Sequence, residues 1–328
     1  MNFEKYPWLA DLSSPDALAA INKAQQSYQE TGATIFPNFL TPTALEACIQ
    51  DARAQESTAF TTDDVHTAYL RPINEYSDPM SVENLEMRTQ VASIAYDELP
   101  TNSVLGSVYE HPTLRRLISK IVGKEAVFLS DDSLGCCSIN VFRPGYHHSF
   151  HFDESEFSCA SNSFRLTWAA RNKQTTLMLQ ESETPGSGLF QYTKPLRDTP
   201  DDLALSSVAN AIHTYANGTV TQSLLEASLV RETKDDEFNS SSTPSLHTLD
   251  FVPGTLSIFA GSKSLHRVTQ VEGGVSRLVA VFTFASQPGF QNTPAVQTMF
   301  WGRSSSLPRG GEGEGGGQNE KQLEEEKQ

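Results

Sequence analysis

The segment RPGYHHSFHFDESEF, Arg143 to Phe157, decides how the chain is read. At its heart is His151-Phe152-Asp153. On an extended strand successive side chains point to opposite faces, so an imidazole and a carboxylate two apart share one face and a single metal ion can take both. A second stretch lies far downstream, PGTLSIFAGSKSLHRVTQVEGGVSRLVAVFTF, from Pro253 to Phe284. There Pro253-Gly254 makes a turn, a short strand follows, and the bend from Gly261 to Ser264 presents His266 as a third ligand.

Two histidines and one carboxylate with open coordination positions suit a facial triad on non-haem Fe(II). Eleven positions after His266 stands Arg277, at the head of the apolar run Arg277–Phe284, where a buried guanidinium can clamp a dicarboxylate end-on. His-x-Asp, a Pro-Gly turn before a strand, a later His and an Arg on the next strand together resemble the Fe(II)/2-oxoglutarate-dependent dioxygenases. The resemblance covers roughly Phe128 to Ser286, and is greatest to oxygenases acting on free amino acids or small natural products.

That resemblance implies a mainly β fold with flanking helices (α+β), built as a double-stranded β-helix, a jelly-roll-like barrel of antiparallel strands. It implies His151, Asp153 and His266 as ligands of Fe(II), three positions for 2-oxoglutarate and molecular oxygen, and Arg277 on the far carboxylate of 2-oxoglutarate. The reaction implied is oxidation of a small-molecule substrate with release of succinate and CO2. Some relatives replace the triad carboxylate by Gly or Ala and halogenate. Asp153 therefore points to a hydroxylase, with desaturation and ring formation as the other outcomes. In GCCSINVF, Cys137, Ile139 and Val141 share one strand face and Ser138, Asn140 and Phe142 the other. Asn140 either bonds the cosubstrate through its amide or is an ordinary satisfied core or edge residue.

Composition bounds the rest. The chain has 328 residues with 38% hydrophobic content, enough for a sizeable core. A formal charge of −16 argues against a nucleic-acid partner held through phosphates. No apolar run reaches membrane length and no basic-then-apolar leader opens the chain, so no membrane partner and a cytoplasmic location are expected. Cys48, Cys136, Cys137 and Cys159 fit neither a zinc knuckle nor a disulfide framework, and reduced thiols are expected.

Three regions follow: 1–125, helical and packing on the barrel; 126–302, the oxygenase core; and 303–328, an acidic Gly- and Glu-rich tail with too little apolar surface to order itself. Ser14-Pro15 and Thr41-Pro42 read as the starts of two helices, with Ala33–Leu40 a strand between them. His111-Pro112 opens a third helix ending at Gly123. Residues 56–100 read as an irregular polar loop or lid, from which Arg71 either meets a substrate carboxylate or is simply exposed. His147 and His148 fall in the turn after Pro144-Gly145, which suggests exposed groups or supports for the ligands. His213 reads as a structural or exposed helical residue. The segment FQNTPAVQTMFWG is expected to fold back through Phe300 and Trp301.

One stretch breaks the pattern. The resemblance leads from Phe157 directly to a strand of the form Thr-Leu-x-Leu-Gln, found here as Thr176–Gln180, but Cys159 to Gln174 intervenes. It is either a surface loop or the translation of a retained intron. Its Phe164, Leu166 and Trp168 lack an amphipathic partner set, which favours the intron. Two other function classes stay open: a non-catalytic jelly-roll protein that binds a metal or ligand, which would not need Arg277, and a structural zinc site.

Overall fold

The computed structural model describes residues 1–70, 73–79, 81–153, 173–199, 202–215 and 243–305. Helix α1 (Pro15–Thr31) starts where the Ser14 hydroxyl accepts from the Ala17 N–H, and ends at Gly32 in the left-handed region. Helix α2 (Pro42–Gln55) is capped in the same way by Thr41. Between them β1 (Ala33–Phe36) is shorter than its apolar run, because Pro37 cannot donate to a ladder. Helices α3 (Val104–Tyr109) and α4 (Pro112–Ile121) complete the N-terminal set, α4 capped by His111.

The strands form two antiparallel sheets. The larger joins β1, β2 (Phe60–Thr67), β3 (Glu86–Ile94), β4 (Phe128–Leu129), β5 (Cys137–Phe142), β7 (Lys173–Gln180), β10 (Leu256–Phe259) and β12 (Arg277–Ala285) in the order β1-β10-β7-β12-β5-β3-β2, with β4 beside β12. The smaller holds β6 (His148–His151), β8 (Phe190–Thr193), β9 (Leu246–Thr248) and β11 (His266–Val268) in the order β6-β11-β8-β9. The molecule is thus mainly β with a few helices. Among the described residues both sheets are open, and the closed barrel expected from the sequence is not formed.

Alternation along the large sheet separates core from cavity. Cys137, Ile139, Val141, Leu177, Leu179, Leu278, Ala280 and Phe282 pack outward against Ile21, Cys48, Leu114, Leu117 and Ile118 of the helices. Their neighbours Ser138, Asn140, Phe142, Thr176, Arg277, Val279 and Val281 turn to a cavity between the sheets. A one-residue slip would exchange the two sets, so burial of the apolar face fixes the register. Helix α5 (Leu205–Tyr215) supports the small sheet in a second core with Phe150, Phe152 and Leu265, and His213 is exposed.

Two expectations need correction. Residues 56–100 are not one loop: β2 pairs with β3 over its whole length, from Phe60 opposite Ser93 to Thr67 opposite Glu86. The polar composition misleads because β2 is an edge strand with most of its residues open to solvent. In addition, β7 begins at Lys173, paired to Phe284, so the last two residues of the anomalous stretch belong to the sheet. The remainder of that stretch, with Trp168, lies outside the described residues, as do Arg71 and the acidic tail. No helix among the described residues is long and apolar enough to cross a membrane. Cys48, Cys136 and Cys137 are free and buried, and burial pushes the Cys48 and Cys136 thiols up to about 12, so they stay protonated.

Candidate metal centre

Three elements bring one group together. His151 closes β6, Asp153 follows two residues later, and His266 opens β11, directly opposite His151 in the ladder. One ligand atom from each lies within 4.8 Å of the others, and all three residues are buried. Backbone bonds hold Asp153 beyond the strand end: Phe152 N–H donates to Ala68 O at 2.7 Å and Asp153 N–H to Gly261 O at 3.0 Å. Phe152 anchors the turn by stacking on Tyr69 under the Arg197 guanidinium.

The hydrogen bonds set the tautomers. His151 Nδ1 faces Ser149 O at 2.8 Å and His266 Nδ1 faces Ser264 O at 3.0 Å. A carbonyl only accepts, so each Nδ1 carries the proton and each Nε2 is free to coordinate. Burial first, then the neighbouring imidazoles, hold His151 well below the ordinary histidine range, so it is neutral and ready for a metal. Asp153 Oδ1 lies 3.4 Å from His266 Nε2, while Oδ2 is buried with no hydrogen-bond partner among the described residues. A buried carboxylate oxygen left unsatisfied is costly, and a cation between these three groups removes that cost.

Gly261 belongs to this site although the sequence marks it only as part of a bend. A Cβ there would lie 1.6 Å from Asp153 Oδ2, so the carboxylate occupies space that any other residue would fill. Of the two roles the sequence suggests for His148, exposed group or support for a ligand, its contacts fit the second. It stands on β6 rather than in the preceding turn, 7% exposed, and its ring stacks on that of His151 at 3.8 Å. Plain alternation would separate His148 from His151. A bulge, in which the step from His266 to Val268 on β11 spans His148 to His151 on β6, puts both in one cavity. His147 instead bonds Arg88 O.

Arg277 opens β12 and is 2% exposed, with its guanidinium over the Phe142 ring. Among the described residues it has no hydrogen-bond or ion-pair partner. Burial, opposed only by Glu181, pushes it down to about 9, so it remains cationic at neutral pH. Asn140 lines the same cavity and accepts from Ser93 Oγ at 3.3 Å. The structure therefore brings His151, Asp153, His266, Arg277 and Asn140 to one cavity, walled by both sheets and by helix α6 (Pro294–Trp301).

No family model and no curated protein matches the chain. Solved structures do. The non-haem alpha ketoglutarate dependent epimerase SnoN from nogalamycin biosynthesis is 10% identical with a TM-score of 0.50, over 82% of this chain and 83% of its own. SnoN in complex with Fe3+, alpha ketoglutarate and nogalamycin RO aligns at 9% identity over 82% and 84%, also with a TM-score of 0.50. A Pseudomonas putida prolyl-4-hydroxylase aligns at 14% identity over 82% and 100%, with a TM-score of 0.42. The chain shares the fold of the non-haem alpha ketoglutarate dependent epimerase SnoN, and carries within it a buried His-Asp-His group compatible with an HxD…H motif.

Proposed function

We propose that the protein is an Fe(II)- and 2-oxoglutarate-dependent dioxygenase that hydroxylates a small molecule. The observation that carries this is Arg277: a buried, cationic guanidinium without a hydrogen-bond or ion-pair partner among the described residues, in the same cavity as three side chains that could hold a metal. A metal site alone would leave that cation unexplained, since an isolated buried charge costs several kcal/mol. A dicarboxylate spanning from metal to Arg277 accounts for both. On this view the two sheets are the two faces of a double-stranded β-helix.

The residues fit the group they would hold. His151 and His266 offer Nε2 and Asp153 offers its unsatisfied oxygen to Fe(II); Arg277 takes the far carboxylate of 2-oxoglutarate, and Asn140 stands on the neighbouring strand to bond the cosubstrate. Bound there, Fe(II) with 2-oxoglutarate and oxygen supplies the oxidation of a substrate C–H bond with release of succinate and CO2. The chain's own part is to fix the ligand tautomers through Ser149 and Ser264 and to neutralise the cosubstrate. Phe190, Phe251 and Phe259 keep water from the metal face of the cavity. Hydroxylation is favoured because Asp153 keeps the third protein ligand in place, although the SnoN structures belong to an epimerase.

Purified protein loaded anaerobically with Fe(II) and 2-oxoglutarate, then given oxygen, is expected to form succinate slowly even without substrate. Absence of binding of both metal and 2-oxoglutarate would point instead to a non-catalytic jelly-roll protein.

A further inference from the structure

Among the described residues, three that line the cavity carry a buried side-chain atom without a hydrogen-bond partner: Asp153 Oδ2, His148 Nε2 and Trp301 Nε1. The metal accounts for the first. The other two remain, and an orphaned buried donor or acceptor costs about 1–3 kcal/mol, which a ligand entering the cavity would relieve. Neither nitrogen is near Arg277 in the ladder: His148 is on the small sheet and Trp301 ends α6.

Both are held in place by specific local features. The β6 bulge turns His148 into the cavity, and its ring is stacked on His151 and edge-on to Phe300 at 6.2 Å. Trp301 depends on Asp132, 1% exposed, whose carboxylate accepts from Asn292 N–H at 3.1 Å, Asn292 Nδ2 at 2.6 Å and Gln297 Nε2 at 2.9 Å, fastening α6 over the cavity. Gly135 leaves room for the indole, since a Cβ there would lie 2.6 Å from the Trp301 ring.

Resting on the function proposed above, we propose that His148 Nε2 and Trp301 Nε1 are the substrate-binding pair, and that the substrate is a small molecule bearing a carboxylate or carbonyl oxygen. An indole N–H only donates, so the atom it meets must be an acceptor. With Asp153 given to the metal and Arg277 to 2-oxoglutarate, these two nitrogens are the buried side-chain atoms of the lining residues still without a hydrogen-bond partner among the described residues, and so orient the substrate.

The test uses the full chain with Fe(II) and 2-oxoglutarate, and a panel of L-amino acids, their primary amides and the corresponding decarboxylated amines, three series that differ in the oxygen-bearing group. Oxygen-bearing members are expected to accelerate succinate formation and the bare amines not to. In Trp301→Phe and His148→Phe the concentration for half-maximal acceleration should rise about 10-fold or more. Trp301→Phe should still bind Fe(II) and 2-oxoglutarate. Gly135→Ala should reproduce Trp301→Phe by displacing the indole, and His148→Gln should recover part of the loss. Acceleration by bare amines as strong as by the acids, no acceleration by any member, or loss of metal binding in Trp301→Phe would each overturn the assignment. Failure of the wild type to bind Fe(II) and 2-oxoglutarate would instead sink the oxygenase function itself.

Discussion

Gly261 shows how one absent methyl shapes the site. Its carbonyl holds the Asp153 N–H and its bare Cα leaves the space that the Asp153 carboxylate fills. Gly261→Ala is expected to displace the carboxylate and weaken metal binding on the order of 100-fold, read by calorimetry with Ni(II), with the helical signal unchanged. Histidine burial has its own consequence. Burial holds His66 below, and His148 and His151 well below, the ordinary value of 6.5, so between that value and each folded one the unfolded chain binds more protons than the native chain. Stability from these groups is therefore fully present above about pH 6.5 and falls as pH drops, by up to about 1.4 kcal/mol per pH unit for each group. Urea midpoints of the metal-free protein from pH 8 to pH 5 should be flat and then decline; a midpoint that rises on acidification would contradict the neutral-imidazole assignment.

At the level of elements, the buried Asp132 carboxylate ties α6 to the loop before β5, beside the bond from Thr62 Oγ1 to Met299 O. Asp132 also accepts from Leu134 N–H at 2.9 Å and Gly135 N–H at 3.1 Å, so it satisfies donors from two separate parts of the chain. Replacing it by Ala strands those donors. Asp132→Ala is expected to cost about 3 kcal/mol or more in urea unfolding and to loosen α6. Proteolysis near Trp301 should then precede global unfolding. A loss below about 0.5 kcal/mol would mean that α6 is held by its apolar contacts instead.

Across the whole molecule, the metal group sits on the small sheet and Arg277 on the large one, so metal plus 2-oxoglutarate would bridge the two. Ligands that bind only the native state stabilise it, by about 2.7 kcal/mol at one hundred times the dissociation constant. The melting temperature should rise stepwise with Fe(II) or Ni(II) and then with 2-oxoglutarate, and fall back with a chelator. Arg277→Met separates the steps. It removes an unpaired buried cation, so the ligand-free protein should be no less stable than wild type, and the metal increment should persist. The 2-oxoglutarate affinity should drop on the order of 100-fold.

The sequence by itself determined the parts that depend on neighbours along the chain. Ser14 and Thr41 as caps, Gly32 as a stop, and the alternation that turns Cys137, Ile139 and Val141 outward and Asn140 inward are local consequences of helix and strand geometry. His151-x-Asp153 was legible for the same reason, and His266 and Arg277 through their order and the strand patterns around them. Only the tertiary structure decided the rest. The edge position of β2 made a strand look like a loop, because solvent on one side removes the apolar alternation that marks a strand. The bulge in β6 reversed the side on which His148 lies, the Gly261 contact joins residues 108 positions apart, and the place of Trp301 above Gly135 depends on a carboxylate at position 132. Such contacts have no periodic signature, since they arise where separate elements meet and not from the repeat of any one of them.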